Sequence, residues 1–505
     1  MISSFLEGAA LIFSPQTLLI ILAASAIGLV IGVIPALGGM VAAALFLPLV
    51  YHMPSSFALP FLVALTCVVY TGGSITTILM GIPGTTPNAA TLIDGYPMAQ
   101  KGQAGRAVGA AITASMFGGI IPVFLSILIV PVIRPIVISF KAPEMFMLIL
   151  LGLSFIAVLA SDSKLKGLIS GFLGMLAALI GLQTSSGQYR FTFGIPSLSS
   201  GLDIVPLALG LFAVAEMFDM IATGKTSIAN NTASGITNRE LRQQVRQGAS
   251  DVWKHKWLWL RSTIIGYVIG LFPGVGGDVA MYLSYSQAKL TSKHPELFGT
   301  GVVEGVIAPE SANNAKDSGA LLTTMAFGIP GSAVMSILMA GFLMTGITPG
   351  PKLLTESLPL VFGLEIGIAV ANLIAGVIAL IFAAKLAKVA NVHIDFMFII
   401  VIVMVFIGSY VNNLSFIDIG TAVVFGVLGF IMKRLNYSRP AVVLGFVLGE
   451  QFETYLWRAY KLGGPTFFLT PGSIVMLVII ILIFFAPLLK KAYQHLFPKK
   501  EVEGE

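Results

Sequence analysis

The sequence predicts an all-α polytopic membrane protein with two inverted-topology repeats that contain broken (re-entrant) half-helices, followed by a final C-terminal transmembrane helix. Three observations lead to this fold class. Of the 505 residues, 56% are hydrophobic and 10% are charged, which leaves too little polar surface to solvate a globule of this length. Long apolar runs recur along the chain, and motifs of the first half return in the second half.

Many apolar runs approach the roughly 20 residues that a helix needs to cross the hydrocarbon core. They cover residues 15–35, 106–131, 143–160, 165–183, 202–222, 257–272, 358–384, 396–410, 416–432, 441–457 and 473–489. The first run has no basic residue before it and no small-residue cleavage pattern at its end, so we expect a retained helix and no signal peptide.

Several classes of protein are disfavoured by the reactive residues. Cys67 is the only cysteine and lies in an apolar run, so it predicts packing and no disulfide or thiol pair. The net charge of +6 comes from basic residues spread among short loops, which indicates membrane orientation and no nucleic-acid binding. No nucleophile elbow, phosphate loop or zinc-spaced cluster accompanies the scattered histidines, so we expect no enzyme. Those histidines are His52, His255, His294, His393 and His495.

Matching motifs occur in the same order in both halves, which indicates an internal duplication. The matched pairs are residues 32–39 (GVIPALGG) with 270–277 (GLFPGVGG), residues 76–84 (TTILMGIPG) with 323–331 (TTMAFGIPG) and, more weakly, residues 206–216 with 440–450.

The halves meet in one substantial polar stretch rich in Lys and Arg, which should be cytoplasmic. The predicted units are a first transmembrane repeat (1–222), a cytoplasmic basic linker (223–256), a second transmembrane repeat (257–457), and a terminal helix with a basic cytoplasmic tail (458–505). Counting one crossing per apolar run places most basic residues inside and puts matched loops on opposite sides. The repeats are therefore predicted to be inverted, an arrangement typical of secondary transporters.

The hydrophobic pattern collapses between residues 72 and 105, while the path of the chain from 35 to 133 stays open. The expected helix breakers are Gly81, Pro83 and Gly84. Thr85 or Thr86 followed by Pro87 is typical of the N-cap and first turn of the next helix. Backbone groups left free between two half-helices persist at membrane depth only where protein or a water-filled cavity satisfies them.

The second copy, residues 328–336, repeats this design with Ser332 as its candidate N-cap. Two opposed helix N-termini would then face a common midplane site that favours an anion, so we predict that a small carboxylate binds there without any arginine. The candidate substrate-binding residues are Ser74, Gly84, Thr85, Thr86, Asn88, Gly331, Ser332 and Ser336. The alternative is that these small residues only allow close helix packing.

The most polar membrane-embedded stretch is residues 304–319, and ionisable residues there usually mark an ion or substrate path. The candidate coupling-ion residues are Asp278, Glu310, Asn313, Asn314 and Asp317. Asn313, Asn314 and Asp317 offer hard oxygen ligands for Na⁺, whereas Glu310 or Asp317 would instead carry H⁺. The alternative is an aqueous loop with solvated charges, which applies most to Glu304 and Lys316.

With these motifs the sequence resembles the large membrane subunit of the tripartite tricarboxylate transporter family (TctA-like) over nearly its whole length. The matching stretches are residues 32–39, 81–97, 101–106, 272–278, 304–319, 328–331 and 346–351. The resemblance implies a carrier for tricarboxylates, citrate among them, or for other organic acids. It also implies a small membrane subunit and a periplasmic binding protein that delivers the substrate.

The predicted function is ion-gradient-driven secondary uptake of a small organic acid by a multi-pass protein of the inner membrane, through alternating access around the midplane site. Apart from these partners and the lipid bilayer, we expect no cofactor beyond Na⁺ or H⁺ as the coupling ion. The main alternative is a stand-alone carboxylate carrier or channel without a binding protein, and an intramembrane enzyme is a more remote one. The residues leave the carboxylate, the coupling ion and the oligomeric state open.

Overall fold

The computed structural model describes residues 1–34, 37–51, 53–159, 163–183, 186–223, 238–272, 276–389 and 394–482, and most of these are helical. The helices before the linker are α1 (Ile2–Ile12), α2 (Pro15–Val33), α3 (Gly39–Val50), α4 (Ser55–Met80), α5 (Ala89–Met98), α6 (Ala104–Ser139), α7 (Ala142–Leu159), α8 (Lys164–Ala178), α9 (Ile204–Ala208) and α10 (Ala215–Thr223). Two short strands, β1 (Gly181–Leu182) and β2 (Tyr189–Arg190), form an antiparallel pair between α8 and α9.

The later helices begin inside the linker. They are α11 (Asn238–Lys254), α12 (Lys256–Gly270), α13 (Gly276–Thr291), α14 (Glu304–Phe327), α15 (Ala333–Met344), α16 (Leu353–Glu356), α17 (Leu358–Val389), α18 (Ile394–Asn413), α19 (Phe416–Arg434), α20 (Arg439–Gly463) and α21 (Pro471–Leu482). Shorter helical turns cover Ala99–Gln103, Pro196–Leu198, Leu209–Val214, Pro295–Leu297 and Gly464–Leu469.

Length and composition confirm a helical membrane protein with several candidate spans. The segments that are each long and apolar enough to cross a membrane are Pro15–Val33, Ser55–Met80, Ala89–Ser139, Leu358–Phe382 and Phe416–Arg434. A bent pair, Arg439–Leu469 with Pro471–Leu482, adds a sixth if its 62° break lies within one span. Several other predicted runs form shorter apolar helices, such as Gly39–Val50 and Ala333–Met344. The predicted last helix is described only as far as residue 482.

Helix α4 was not among the predicted apolar runs, although it is the most deeply buried of the candidate spans. Its hydroxyl side chains dilute the hydrophobic pattern, but those of Thr66, Ser74 and Thr77 donate to backbone carbonyls one turn earlier, as from Thr66 to Leu62 at 2.8 Å. On the neighbouring helix, a Cβ atom at Gly28 would lie 2.6 Å from the Leu65 carbonyl oxygen. Because these hydroxyls have hydrogen-bond partners, α4 can be buried, and it packs against α2 and α17.

The linker is more ordered than a polar loop, because α11 packs along α6. Gly248 makes this close approach possible, since a Cβ atom there would collide with the carbonyl oxygen of Arg106. Arg106 also donates to Asp251 at 2.6 Å, and Lys254 donates to the same carboxylate at 3.0 Å. Burial opposes ionisation of Asp251, but these hydrogen bonds outweigh it and hold the pKa of the carboxyl below its usual range. Residues 224–237 of the linker lie outside the described part.

The predicted topology is tested by labelling cysteines at Ser186 and Ser250, which are both exposed. Cys67, the one natural thiol, is buried and is removed as Cys67→Ala to eliminate background. A membrane-impermeant thiol reagent should reach Ser186→Cys only from the periplasmic side and Ser250→Cys only from the cytoplasmic side. Labelling of both cysteines from one side would contradict the inverted arrangement.

Candidate functional site

The two GIPG motifs form the same turn in both halves of the chain. Gly81 ends α4 with φ +69° and ψ 21°, and Gly328 ends α14 with φ +68° and ψ 23°. This left-handed conformation favours glycine, and it turns the chain sharply away from the helix axis. The repeated sequence therefore encodes a repeated backbone path.

A threonine fixes each turn from inside. The Oγ1 atom of Thr77 accepts a hydrogen bond from the Gly84 amide at 2.9 Å, and that of Thr324 accepts one from the Gly331 amide at 3.0 Å. A Cβ atom at Gly84 would strike the backbone of Gly73, and one at Gly331 would lie 2.6 Å from the Ala320 Cα atom. The expectation that these two amides are uncommitted is therefore wrong, since both hold the turns closed.

The helix starts after the two turns differ. Ser332 is the N-cap of α15 and accepts from the Met335 amide at 3.3 Å, which confirms the predicted cap. Helix α5 begins only at Ala89, after a turn in which the Asn88 amide donates to the Thr85 carbonyl oxygen at 3.1 Å. Asn88 is its N-cap and makes no side-chain cap hydrogen bond, so the predicted cap at Thr85 or Thr86 is wrong. The Thr85 hydroxyl instead donates to the Asn88 side chain.

Both breaks line one cavity of about 350 Å³. The first break contributes Thr85, Thr86 and Pro87, and the second contributes residues from Ser332 to Val334. The starts of α3 and α20 complete the wall, so the N-terminal ends of α3, α15 and α20 face the same space. Helix N-termini carry partial positive charge, which makes this space suited to an anion.

Two cations that the sequence analysis did not assign to the site also line this cavity. Lys433 lies 2.6 Å from a carboxylate oxygen of Glu216 and 2.7 Å from one of Asp219, and Arg439 lies 2.8 Å from Glu216. Arg434, which does not line the cavity, also contacts Asp219, at 3.3 Å, so three cations share two carboxylates beside the cavity. Arg439 therefore lies at this cavity, whereas the predicted carboxylate site called for no arginine. The weak match of residues 206–216 with 440–450 was the only sequence signal near these groups.

Glu310 lies fully buried behind the first break. One of its carboxylate oxygens accepts hydrogen bonds from Ser74 at 2.8 Å and Thr91 at 2.5 Å, with the Asn88 amide at 3.5 Å. Its other oxygen accepts from Asn313 at 3.1 Å. The predicted substrate residues Ser74 and Asn88 thus contact the predicted ion residue Glu310, which also binds Asn313.

Lys316 and Asp317 form a buried ion pair. The Lys316 ammonium lies 2.8 Å from an oxygen of Asp317 and 3.6 Å from the centre of the Tyr70 ring, and both side chains are about 5% exposed. The alternative that Lys316 is simply solvated is therefore wrong. Glu304 is half-exposed beside His255, at 3.2 Å, so it lies at the edge of this polar stretch.

Four buried side-chain oxygens along α14 and α17 have no hydrogen-bond donor: Asn313 Oδ1, Asn314 Oδ1, Asp317 Oδ2 and Glu365 Oε1. Unsatisfied acceptors are what a cation or a proton relieves. Asn313 and Asp317 share one face of α14 with Glu310. Asn314 instead donates to Thr71 on α4 at 3.0 Å and to Asn372 on α17. The structure thus divides the predicted Na⁺ ligands between two faces.

Two other predicted residues are Ser336, which is not part of the cavity wall, and Asp278. Ser336 is buried and donates to the Ala333 carbonyl oxygen, within its own helix. Asp278 belongs to α13, but its side chain is outside the described part.

Asp94 is a buried carboxylate that the sequence analysis left without a role. It accepts the Tyr285 hydroxyl at 2.9 Å and the amides of Gly299, Gly301 and Val302 at 2.7 to 3.1 Å. It thereby fixes α5 to the loop that precedes α14.

Comparison with known proteins matches these motifs to one family. The model described as "Tripartite tricarboxylate transporter TctA family" matches residues 18–444. An "Uncharacterized 52.8 kDa protein in TAR-I ttuC' 3'region" of Agrobacterium vitis is 34% identical over 439 residues, which cover 86% of this chain and 85% of that protein. An "Uncharacterized protein in TAR-II ttuC' 3'region" of the same organism is 34% identical over 207 residues, 41% of this chain and 86% of the relative. No solved structure matches the chain significantly.

Proposed function

This chain belongs to the tripartite tricarboxylate transporter TctA family, and from that premise we propose that it is the large membrane subunit of a carboxylate uptake system of the inner membrane. It carries a tricarboxylate or another small organic acid, driven by an ion gradient. A periplasmic binding protein delivers the substrate, and a small membrane subunit completes the transporter.

The observation that supports this proposal most is the cavity lined by both breaks. Thr85, Thr86 and Ser332 supply neutral hydrogen bonds there, while Lys433 and Arg439 supply positive charge. Lys433 and Arg439 belong to a cluster in which three cations meet two carboxylates, so the cluster beside the cavity carries a net positive charge, which favours a polyanion over a neutral solute. In this proposal Ser74 and Asn88 support the first break from behind. Gly84, Gly331 and Ser336 keep the breaks compact.

The matched turns support alternating access. Two copies of one turn, with φ angles of +69° and +68°, would exchange roles if the repeats are inverted as the charge bias predicts. The predicted topology puts Lys433 and Arg439 near the cytoplasmic side. We therefore propose that this cavity is the inward-facing form of the substrate site.

A coupling cation, Na⁺ or H⁺, offsets the charge of the carboxylate within the membrane. The unsatisfied oxygens of Asn313, Asn314 and Asp317 support a cation at α14. Lys316 already neutralises Asp317, however, so Asp317 adds no net negative charge for a second cation. Glu310 carries no such partner among the described ion pairs, and Asp278 remains a further candidate.

Uptake into membrane vesicles tests the proposed function. Vesicles that contain this chain and the small subunit should accumulate labelled citrate, or another carboxylate from a panel of di- and tricarboxylates, when an ion gradient and the cognate binding protein are both present. Omitting the binding protein or collapsing the gradient should abolish accumulation.

Two other results would replace the proposal. Accumulation without the binding protein would indicate the stand-alone carrier or channel, and conversion of the substrate into a new compound would indicate an enzyme. A matched control uses vesicles with the small subunit alone, which should show only passive leakage.

A further inference from the structure

We propose that Glu365 binds and releases the proton that accompanies the substrate, so that the coupling ion is H⁺. This inference rests on the proposed function and identifies a residue that the motifs did not indicate. Glu365 lies in the candidate span Leu358–Phe382 of α17 and is fully buried. An ionisable group in that position is expensive and usually serves transport.

The hydrogen bonds of Glu365 differ from those of the other fully buried glutamate on the path, Glu310. Glu310 accepts from four side chains, which lowers the cost of a negative charge there relative to Glu365. Glu365 accepts from the Ser318 hydroxyl and has the Ser126 hydroxyl as a second close donor, but its Oε1 atom has no hydrogen-bond partner. No cation pairs with it among the described ion pairs. The neutral, protonated form therefore fits this position better than the charged form.

A chain of hydroxyls leads away from the carboxyl. Ser318 on α14 contacts Glu365, Ser126 on α6 lies 3.2 Å from Ser318, and the Tyr267 hydroxyl on α12 lies 3.0 Å from Ser126. Each hydroxyl can both donate and accept, so the chain can reverse its direction when the carboxyl gains or loses a proton. Glu365 can thus change protonation state without leaving a hydroxyl unpaired.

In the part of the chain that the structure describes, no ion pair gives Glu365 a counter-ion. Tyr267 is the titratable group that the chain of hydroxyls connects to Glu365. Lys316 and Asp317 pair with each other, Arg106 pairs with Asp251, and α2 carries no titratable residue. The other titratable residues on the helices packed against α17 are Glu7, Cys67, Tyr70, Arg134, Glu304, Glu310, Glu356, Arg239, Glu240, Arg242, Arg246 and Lys254.

Coupling follows from charge. A proton that adds to the Glu365 carboxylate gives a neutral acid, so the loaded carrier crosses the low-dielectric interior with one negative charge fewer. Release of that proton on the cytoplasmic side restores the carboxylate, so an inward proton gradient drives the cycle toward net uptake. Contacts between α14 and α17 link this residue to the helix that bears the second break.

A carbodiimide detects the proton directly in the intact protein. Dicyclohexylcarbodiimide adds to a protonated buried carboxyl, whose O–H adds across its C=N bond to give a stable acylurea after rearrangement. Mass spectrometry should find the adduct on Glu365, with a yield that falls as pH rises, and little adduct on Glu310, the internal control. Adduct on Glu310 with none on Glu365 at any pH would overturn the inference.

Transport measurements separate this inference from the proposed function. Wild-type vesicles loaded with a pH dye should acidify during carboxylate uptake. Glu365→Gln, which imitates the protonated form, should lose acidification and gradient-driven accumulation while exchange of internal for external carboxylate persists. Glu365→Asp should retain acidification.

Each result has a distinct meaning. Absence of carboxylate uptake in the wild type would refute the proposed function itself. Wild-type uptake driven by Na⁺ without acidification, or acidification retained in Glu365→Gln, would overturn the proton site alone. Na⁺-driven uptake would instead support a coupling-ion site at Asn313, Asn314 and Asp317.

Discussion

Replacing Asp317 by Asn is expected to deplete the folded protein in the membrane, because it leaves the Lys316 ammonium buried without its partner. The two groups lie 2.8 Å apart and are about 5% exposed, so neither can turn to water. Removing one member of a buried pair typically costs about 3–5 kcal/mol, a large part of the stability of a domain. The measurement is the yield and melting temperature of the detergent-solubilised protein.

The matched control is the double variant Lys316→Met/Asp317→Asn, which removes both charges. We expect it to recover folding and gradient-driven uptake, because an apolar replacement of a buried pair is often neutral. Normal folding of the single variant Asp317→Asn would contradict the pair's structural role. Recovered folding without gradient-driven uptake in the double variant would instead assign the coupling ion to Asp317.

Replacing Gly38 by Val should block transport without unfolding the protein. Gly38 lines the cavity with φ −70°, and a Cβ atom built there meets no atom within 4 Å. The added side chain therefore occupies substrate space and strains no backbone. We expect initial uptake to fall at least about tenfold, equivalent to a loss of ~1.4 kcal/mol, while the melting temperature stays unchanged.

Gly420→Val is the control, since Gly420 lies on an exposed face of α19 and a Cβ atom there also meets nothing within 4 Å. Uptake by this variant should be near normal. Gly84 and Gly331 are poorer probes, because bulk at either position strikes backbone and destroys the turn itself. Normal uptake by Gly38→Val would exclude the cavity as the substrate site.

The sequence predicted the breaks well because their determinants are local. A glycine with positive φ, a proline and a serine cap each act within a few residues, so Gly81, Gly328 and Ser332 could be assigned from the motifs. The N-cap predicted at Thr85 was wrong because the Thr85 hydroxyl donates to the side chain of Asn88, three residues later, and the helix begins only at Ala89. Helix α4 was missed because hydroxyls satisfied by their own helix look polar in a hydropathy pattern.

Long-range partners could not be predicted. Lys433 and Arg439 look like ordinary orientation charges in sequence. Only the packing of α10 against α19 brings Glu216 and Asp219 to Lys433, and Arg439 at the start of α20 then reaches Glu216. Glu365 sits alone in an apolar run, and the hydroxyls near it come from helices far away along the chain. The charge of Asp317 was evident, but its neutralisation by the adjacent Lys316 depends on both side chains being buried together.

Substrate protection of two cysteines tests most directly whether the two breaks form one carboxylate site. Thr86→Cys and Ser332→Cys, each in the Cys67→Ala background, place a thiol on either side of the cavity. The carboxylate that the protein transports should slow the reaction of both thiols with a small maleimide, while Ser186→Cys reacts at an unchanged rate. Equal reaction rates at both cavity positions, with and without a carboxylate that is demonstrably transported, would contradict the proposed site.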